Sequence, residues 1–299
     1  MFRLLVTLMC LAAPAAAQVT VADDRRPQTF DAPPERVVAL SWAMAEMLLG
    51  LEVTPVGVAE TDGYATWVAA PPLPDGVADM GLHSEPNLEA IADAAPDLIL
   101  ASDQQQAGLD ALGQIAPVMW FESFDAAQDN PAKARETFLT LGRLLDREAA
   151  ARETLKEIDA RTAAAGARVH AHFGGEVPPV VPVRLLTPAA VRVHGANSMA
   201  TAALEGMGLT HADAGAPTDW GFTQRRVEDL SEYEDAIVLH IDPFPAGEEL
   251  YDTPLWRFMP FVQADRFAVA EPVWTFGGAL SVARLAEAFA DALTELPVE

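Results

Sequence analysis

Short runs of β-branched and aliphatic residues alternate with helical patterns from residue 36 onward, and this alternation restricts the fold more than any other feature. Segments 36–40 and 55–59 indicate strands on either side of a helix that ends near Gly50. Further strands are indicated at 98–101 and 118–121, with helical patterns between them. Strands separated by helices form a parallel sheet that is covered on both faces. The sequence therefore predicts an α/β lobe over residues 18–130.

The next segment, 131–166, has the pattern of one long helix. It has no proline after Pro131, contains a single glycine before residue 166, Gly142, and repeats apolar residues at helical spacing. Such a helix would be about 50 Å long and could connect two domains. Strand and helix patterns then resume over 167–299. The predicted fold is α/β, with two Rossmann-like lobes joined by one long α-helix and a ligand cleft between the lobes.

The first 17 residues have the pattern of a secretory signal peptide. Arg3 precedes an apolar run, and the alanines at 15–17 suit signal peptidase, so we expect export to the periplasm with cleavage after residue 17. The run is shorter than the ~20 residues of a membrane-spanning helix. The only cysteine, Cys10, would leave with this segment, which excludes disulfides and thiol chemistry from the mature chain. A lipoprotein alternative depends on Cys10, but Met9 before it is too large for a lipidation box.

The chain is strongly acidic, with a formal net charge of −25. Such a surface repels nucleic acid and anionic lipid, and it disfavours a strongly anionic ligand unless local arginines intervene. Hydrophobic residues make up 51% of the chain, so the acidity covers a folded globule and does not indicate disorder. We expect a monomer that neither binds nucleic acid nor inserts into a membrane.

Several tryptophans follow predicted strands or lie in predicted loops. Trp42 follows the first strand, Trp274 follows the last, and Trp67 and Trp220 lie in loops. A single tryptophan is more often part of a core than of a ligand wall. The carboxyl ends of strands in an open α/β sheet face the ligand crevice, however, and rigid aromatic rings bury apolar ligand surface at low entropic cost. Trp256, in a short apolar helix, is instead expected in the core.

Four segments carry a family resemblance: GYATWVAAPPLPDGVADMGLHSEPNLE, WGFTQRRVEDL, TPLWRFMPFVQADRF and EPVWTFGGALS. In this order they resemble the periplasmic ferric-hydroxamate siderophore-binding proteins, which deliver ferric siderophores to an ABC importer and are related to the vitamin B12-binding proteins. The resemblance covers nearly all of the chain after residue 17. It implies a class III bilobal fold with one connecting helix, a shallow aromatic cleft and little domain closure.

By position, the resemblance implies that Trp67, Trp220 and Trp274, together with Trp42, pack on the hydrocarbon arms of the siderophore. It also implies that the iron arrives already chelated, so the protein needs no cofactor and supplies no metal ligand.

Two positions depart from the family. His83 stands where hydroxamate binders have an arginine, and Gln105 stands where they have a tyrosine, both of which bond to hydroxamate oxygens. Histidine and glutamine can donate hydrogen bonds, but neither carries a permanent charge at neutral pH. We expect both side chains to contact the ligand. The alternative for His83 is a loop histidine that only bonds to backbone groups.

Two glutamates are candidates for docking on the permease of the importer. Relatives dock onto the permease through one glutamate on each lobe, and Glu89 and Glu228 occupy the equivalent places. One anionic anchor on each lobe would fix the orientation on a two-fold importer by charge-assisted hydrogen bonds to arginine. The alternative is that both are ordinary solvated acidic residues.

Other functions remain open at this point. One is a binder of another bulky metal chelate such as haem, for which His83 would supply an axial ligand, or cobalamin. A remoter alternative is a periplasmic enzyme that processes siderophores. Ser41 and Ser198 are conceivable nucleophiles, but neither lies in a G-x-S-x-G motif. We therefore predict a binding protein without enzymatic activity.

Overall fold

The computed structural model describes residues 18–298, and the predicted signal peptide, 1–17, lies outside the described residues. The described chain begins with an antiparallel hairpin of β1 (Val19–Ala22) and β2 (Pro27–Phe30). The Asp23 carboxylate fixes the turn by accepting hydrogen bonds from the backbone N–H groups of Arg25 and Arg26 at 3.0 and 2.8 Å. This hairpin was not predicted from the sequence.

The first lobe contains a five-stranded parallel sheet, as predicted. The order of its strands is β5-β4-β3-β6-β7. Alternate residues of the strands enter two separate apolar cores, so helices cover both faces of the sheet. The strands are β3 (Val37–Ala39), β4 (Gly57–Val58), β5 (Ala78–Asp79), β6 (Leu98–Ala101) and β7 (Val118–Trp120). The helices are α1 (Trp42–Gly50), α2 (Thr61–Trp67), α3 (Leu88–Asp93) and α4 (Leu109–Leu112), with a 3-10 helix at Asp103–Gly108.

The prediction of a single helix over residues 131–166 is wrong. The structure has two helices there, α5 (Asn130–Leu144) and α6 (Glu148–His172). Asp146 has a φ of 55°, in the left-handed region, and the Arg147 N–H donates to the Gly142 carbonyl oxygen at 2.7 Å. This is a Schellman-type helix end, with aspartate in the position that glycine usually takes. The sequence pattern concealed the break because no glycine marks it.

Helix α6 alone connects the two lobes. Its 25 residues extend roughly 37 Å. Leu155 and Ile158 pack into the core of the first lobe, and Ala165 and Val169 pack into the core of the second. No helix among residues 18–298 has both the length and the apolar character needed to cross a membrane.

The second lobe contains a five-stranded mixed sheet in the order β10-β9-β8-β11-β12. β8, β11 and β12 pair in parallel, whereas β9 is antiparallel to both of its neighbours, β8 and β10. Only two residues connect β8 to β9, which suits an antiparallel pair. The strands are β8 (Val180–Thr187), β9 (Ala190–His194), β10 (Phe222–Arg226), β11 (Ile237–Ile241) and β12 (Phe267–Ala270). The helices are α7 (Met199–Gly206), α8 (Gly247–Tyr251), α9 (Pro254–Arg257), α10 (Pro260–Gln263) and α11 (Ser281–Leu293), with a 3-10 helix at Val227–Glu232. Trp256 is buried in this lobe, as predicted.

Candidate ligand-binding cleft

A cleft of about 230 Å³ lies between the two lobes. Its first wall is formed largely by residues that shortly follow β3, β4, β6 and β7, so the carboxyl ends of four parallel strands meet there. Ligands bind at this edge in open α/β sheets. The lining residues are Ser41, Trp42, Ala43, Glu60, His83, Ser84, Ser102, Asp103, Gln104, Ser123, Phe124, Trp220, Trp274 and Phe276.

The second lobe supplies an aromatic wall. Trp274 and Phe276 follow β12, and their ring centroids are 5.3 Å apart. Trp220 lies in the loop before β10, with its ring 6.0 Å from Phe276, and 42% of its surface is exposed. It stacks at 5.7 Å on Phe124 of the first lobe. The aromatic rings of the two lobes therefore meet in the cleft.

Two further tryptophans come from the first lobe. Trp42 lines the cleft at the start of α1, with its ring centroid 4.8 Å from that of Trp274, and its Nε1–H donates to the Ala59 carbonyl oxygen at 2.9 Å. Trp67 ends helix α2 and lies 6.1 Å from Trp274, but it does not line the cleft itself. Its ring packs against the core of the first lobe beside Trp274, so its contact with the ligand stays a prediction.

His83 lines the cleft and is held by Glu60. The His83 Nδ1 is 3.1 Å from Glu60 Oε2, and the His83 backbone N–H donates to Glu60 Oε1 at 3.2 Å. Burial lowers the pKa of His83 below its usual 6.5, and the Glu60 carboxylate partly offsets this effect. Because a carboxylate only accepts hydrogen bonds, the neutral ring carries its proton on Nδ1 and leaves Nε2 as an acceptor. Neutral His83 can therefore donate to a ligand only after a second proton binds.

The backbone of Glu60 is itself unusual. Its φ of 52° lies in the left-handed region, which is unfavourable for a residue with a side chain. Strained residues of this kind concentrate at ligand sites. In this conformation Glu60 directs its carboxylate toward His83 at the cleft.

Gln105 does not line the cleft, which differs from the position that we predicted for it. It is 2% exposed, its Oε1 accepts from the Ser102 N–H at 2.8 Å, and its Nε2 donates to the His83 carbonyl oxygen at 2.7 Å. The side chain thus caps the 3-10 helix after β6 and fixes the loop that carries His83. The neighbouring Gln104 is exposed and lines the cleft instead.

Several cleft residues were missed in the sequence, and three of them, Phe276, Phe124 and Asp103, follow strands. Phe276 lies two positions after Trp274 in a motif that had been noticed, and Phe124 follows β7. Asp103 follows β6, and burial raises the pKa of its carboxyl group even though Oδ2 accepts a backbone hydrogen bond from Ser123 at 3.1 Å. Each of the three lies shortly after a strand, and this position was the signal by which the sequence could have identified it.

Glu89 and Glu228 lie outside the cleft. Glu89 is exposed in the first turn of α3, and Glu228 is exposed in the 3-10 helix of the second lobe. Across residues 18–298, no three side chains of His, Cys, Asp or Glu converge into a set able to hold a metal ion.

Comparison with known proteins gives consistent results. The family model described as periplasmic binding protein matches residues 37–273. The iron(3+)-hydroxamate-binding protein FhuD of Escherichia coli K12 is 35% identical over 257 residues, 83% of each chain. The structure of the siderophore-binding protein FhuD of Vibrio cholerae bound to Fe3+-Desferal has a TM-score of 0.86 and 39% identity, covering 88% of this chain and 99% of that one. Staphylococcus aureus SirA with staphyloferrin B shares the fold, with a TM-score of 0.69 at 19% identity over 93% and 99% of the two chains.

Two α/β lobes, one shared helix and a cleft at the strand ends define the class III bilobal binding-protein fold. The chain belongs to the periplasmic binding protein family. The resemblance found in the sequence motifs is thereby confirmed, and the named relatives are binding proteins.

Proposed function

We propose that this chain is a periplasmic binding protein that captures a ferric siderophore of hydroxamate type and delivers it to an inner-membrane ABC importer. The observation that carries the proposal is the aromatic cleft, in which Trp42, Trp220, Trp274, Phe124 and Phe276 meet at the strand ends. Such rings can cover the apolar arms of a chelate while the polar edge of the cleft faces its oxygens. The similarity to two hydroxamate-binding proteins supports the same ligand class.

The proposal includes several expectations about the mature protein. It acts as a monomer in the periplasm, receives iron that is already chelated, and supplies no metal ligand of its own. It docks on the permease through Glu89 and Glu228. We expect it to catalyse no reaction, since the named relatives are binding proteins.

Titration of intrinsic tryptophan fluorescence tests the ligand class, since the proposed walls are the reporters. We expect saturable quenching by ferric Desferal and much weaker quenching by cobalamin. Mass spectrometry of ferric Desferal after incubation should show intact ligand; a cleaved product would favour the processing enzyme. Absence of saturable binding by any ferric hydroxamate would contradict the proposal.

A haem binder is the second candidate, because His83 lines the cleft as a neutral imidazole. Axial ligation would shift the Soret band of added haemin, and His83→Ala would abolish that shift. We expect no such shift in the wild-type protein.

A further inference from the structure

Two arginines lie side by side on the sheet of the second lobe. Arg184 of β8 is directly opposite Arg192 of β9 in the antiparallel register. Side chains in this relation project from the same face of a sheet. The Arg184 guanidinium carbon is 5.6 Å from the ring centroid of Trp67, and the Arg192 guanidinium carbon is 5.8 Å from that of Phe276. The pair therefore adjoins the aromatic wall of the cleft.

Neither guanidinium has a carboxylate in direct contact within the part of the chain that the structure describes. Among the residues that the structure describes, no carboxylate forms an ion pair with Arg184 or Arg192. The Asp242 carboxylate is near enough to oppose the lowering of the Arg184 pKa, but it makes no ion pair with Arg184, and its Oδ1 lies 3.2 Å from His240 Nε2. A pair of positive charges next to a cleft, without a negative partner, is costly to bury.

Much of the hydrogen-bonding capacity of the pair is also unused among residues 18–298. Arg184 is only 5% exposed and donates one bond, from Nη2 to the Val273 carbonyl oxygen at 2.9 Å. The Nε groups of Arg184 and Arg192 are buried and have no partner among residues 18–298, and the same is true of Nε2 of His194 on the same face of β9. Buried donors are rarely left unpaired, so the two guanidinium Nε–H groups indicate an acceptor that the ligand would supply.

We infer that Arg184 and Arg192 form a subsite for a carboxylate group carried by the ligand, beside the aromatic cleft. Guanidinium groups bind carboxylates through paired N–H donors, and two adjacent arginines match the several lone pairs of one such group. The inference rests on the proposed function and narrows the ligand to a ferric siderophore with a free carboxylate. It also explains how a chain with a net charge of −25 would accept an anionic ligand.

Burial makes the charge on Arg184 less favourable but does not remove it. It lowers the pKa of Arg184 from 12.5 to about 10, and the like charge of Arg192 adds to this effect. The guanidinium remains charged at neutral pH. A bound carboxylate would relieve both the repulsion and the desolvation.

Ferric complexes of one chelate isolate the effect of the terminal charge. The ligands are ferric Desferal with its terminal amine, the N-acetyl derivative with a neutral end, and the N-succinyl derivative with a carboxylate end. Dissociation constants are measured by tryptophan quenching for the wild type and for Arg192→Gln. Arg192 is the better target because it makes no hydrogen bond that holds the fold, unlike Arg184. Arg152→Gln is the matched control, since it removes an exposed arginine from α6.

The wild type and Arg152→Gln are expected to bind the N-succinyl complex about tenfold more tightly than the N-acetyl complex. Arg192→Gln should reduce this preference to less than about twofold, because the N-succinyl complex loses more affinity than the N-acetyl complex. Equal affinities in the wild type, or equal losses for both complexes in Arg192→Gln, would overturn the inference. Arg192→Lys keeps the positive charge but lacks the paired N–H donors of a guanidinium, so it should lose most of the preference for the N-succinyl complex. This variant replaces Arg192→Gln in the test if the glutamine variant does not fold.

A second arm separates this inference from the proposed function. Iron-free citrate is added to the wild type, Arg192→Gln and Arg152→Gln, and the melting temperature is recorded. If no ferric complex binds the wild type, the proposed function fails. The effect of citrate on the melting temperature then tests the carboxylate subsite by itself. Stabilisation by citrate that is lost only in Arg192→Gln would then support the carboxylate subsite, and no stabilisation, or stabilisation that Arg192→Gln retains, would overturn it.

Discussion

The carboxylate of Glu46 accepts a hydrogen bond from the backbone N–H of Gly278, with Oε2 and N 2.7 Å apart. The Ser281 hydroxyl donates to the same carboxylate at 3.0 Å. Glu46 lies on α1 of the first lobe, whereas Gly278 follows the segment that carries Trp274 and Phe276. One buried group therefore ties the aromatic wall of the second lobe to the first.

Burial raises the pKa of Glu46 from an ordinary 4.5 to about 7. Between these values the folded protein holds more protons at this site than the unfolded chain, so stability from Glu46 falls as the pH rises. Glutamine keeps an acceptor but cannot ionise. Relative to the wild type, Glu46→Gln should gain roughly 2 kcal/mol in free energy of unfolding between about pH 5 and about pH 8.

Urea denaturation at both pH values measures this difference, with Glu136→Gln on the exposed side of α5 as control. A difference between Glu46→Gln and the wild type that stays constant with pH would contradict the assignment.

Trp220 is the wall residue with the smallest structural role, because 42% of its surface is exposed. Trp220→Ala should weaken binding of ferric Desferal about 30-fold, since the ligand loses most of one aromatic contact. Melting temperature should change little. Phe258→Ala is the control, because Phe258 is 79% exposed and lies outside the cleft. Isothermal titration calorimetry of both variants is the measurement, and equal affinities would show that Trp220 does not contact the ligand.

Protonation of His83 creates a donor at Nε2 that the neutral ring lacks. Because the pKa of His83 is lowered by burial, the ring gains this proton only as the pH falls below its usual 6.5. Affinity of the wild type for ferric Desferal should therefore rise about threefold or more from about pH 8 to about pH 5. His83→Gln should flatten this profile.

Glu60 provides a second check on His83. Glu60→Gln removes the carboxylate that favours the protonated ring, so the rise in affinity should move to lower pH. A wild-type profile that matches that of His83→Gln would exclude a role for His83 in ligand binding.

Charge reversal tests the docking residues. The double variant Glu89→Lys, Glu228→Lys should bind ferric Desferal with wild-type affinity, because both residues lie outside the cleft. Delivery should nevertheless fail, as two anionic anchors become repulsive toward arginines of the permease. Uptake of radioactive iron by cells that carry the variant measures delivery. Normal uptake would refute the assignment, and a double reversal at Glu153 and Glu157 on α6 controls for net charge.

Much of the fold followed from periodicity. The first sheet was predictable because its strands are short buried runs with helices between them, and strand β6 was placed at its observed limits, 98–101. The hairpin β1–β2 was not, because its strands are only four residues long and β2 begins with a proline. The end of α5 was hidden because Asp146 adopts the left-handed conformation that glycine usually signals.

The site was predictable where an aromatic residue shortly follows a predicted strand, as Trp42 and Trp274 do. It was not predictable where a local turn decides which neighbour faces outward. Gln104 and Gln105 illustrate this, because a 3-10 helix places one in the cleft and buries the other. Arg184 and Arg192 were also missed, since their importance depends on cross-strand register between β8 and β9.

Helix α6 packs into one apolar core of each lobe. Leu155 and Ile158 contribute to a core of the first lobe, and Ala165 and Val169 contribute to a core of the second. Loss of packing in either lobe therefore removes support from the other, and the two sheets should melt in a single cooperative transition. A fragment that contains one lobe would retain an apolar helix surface facing water. We therefore expect neither half to fold on its own when it is excised.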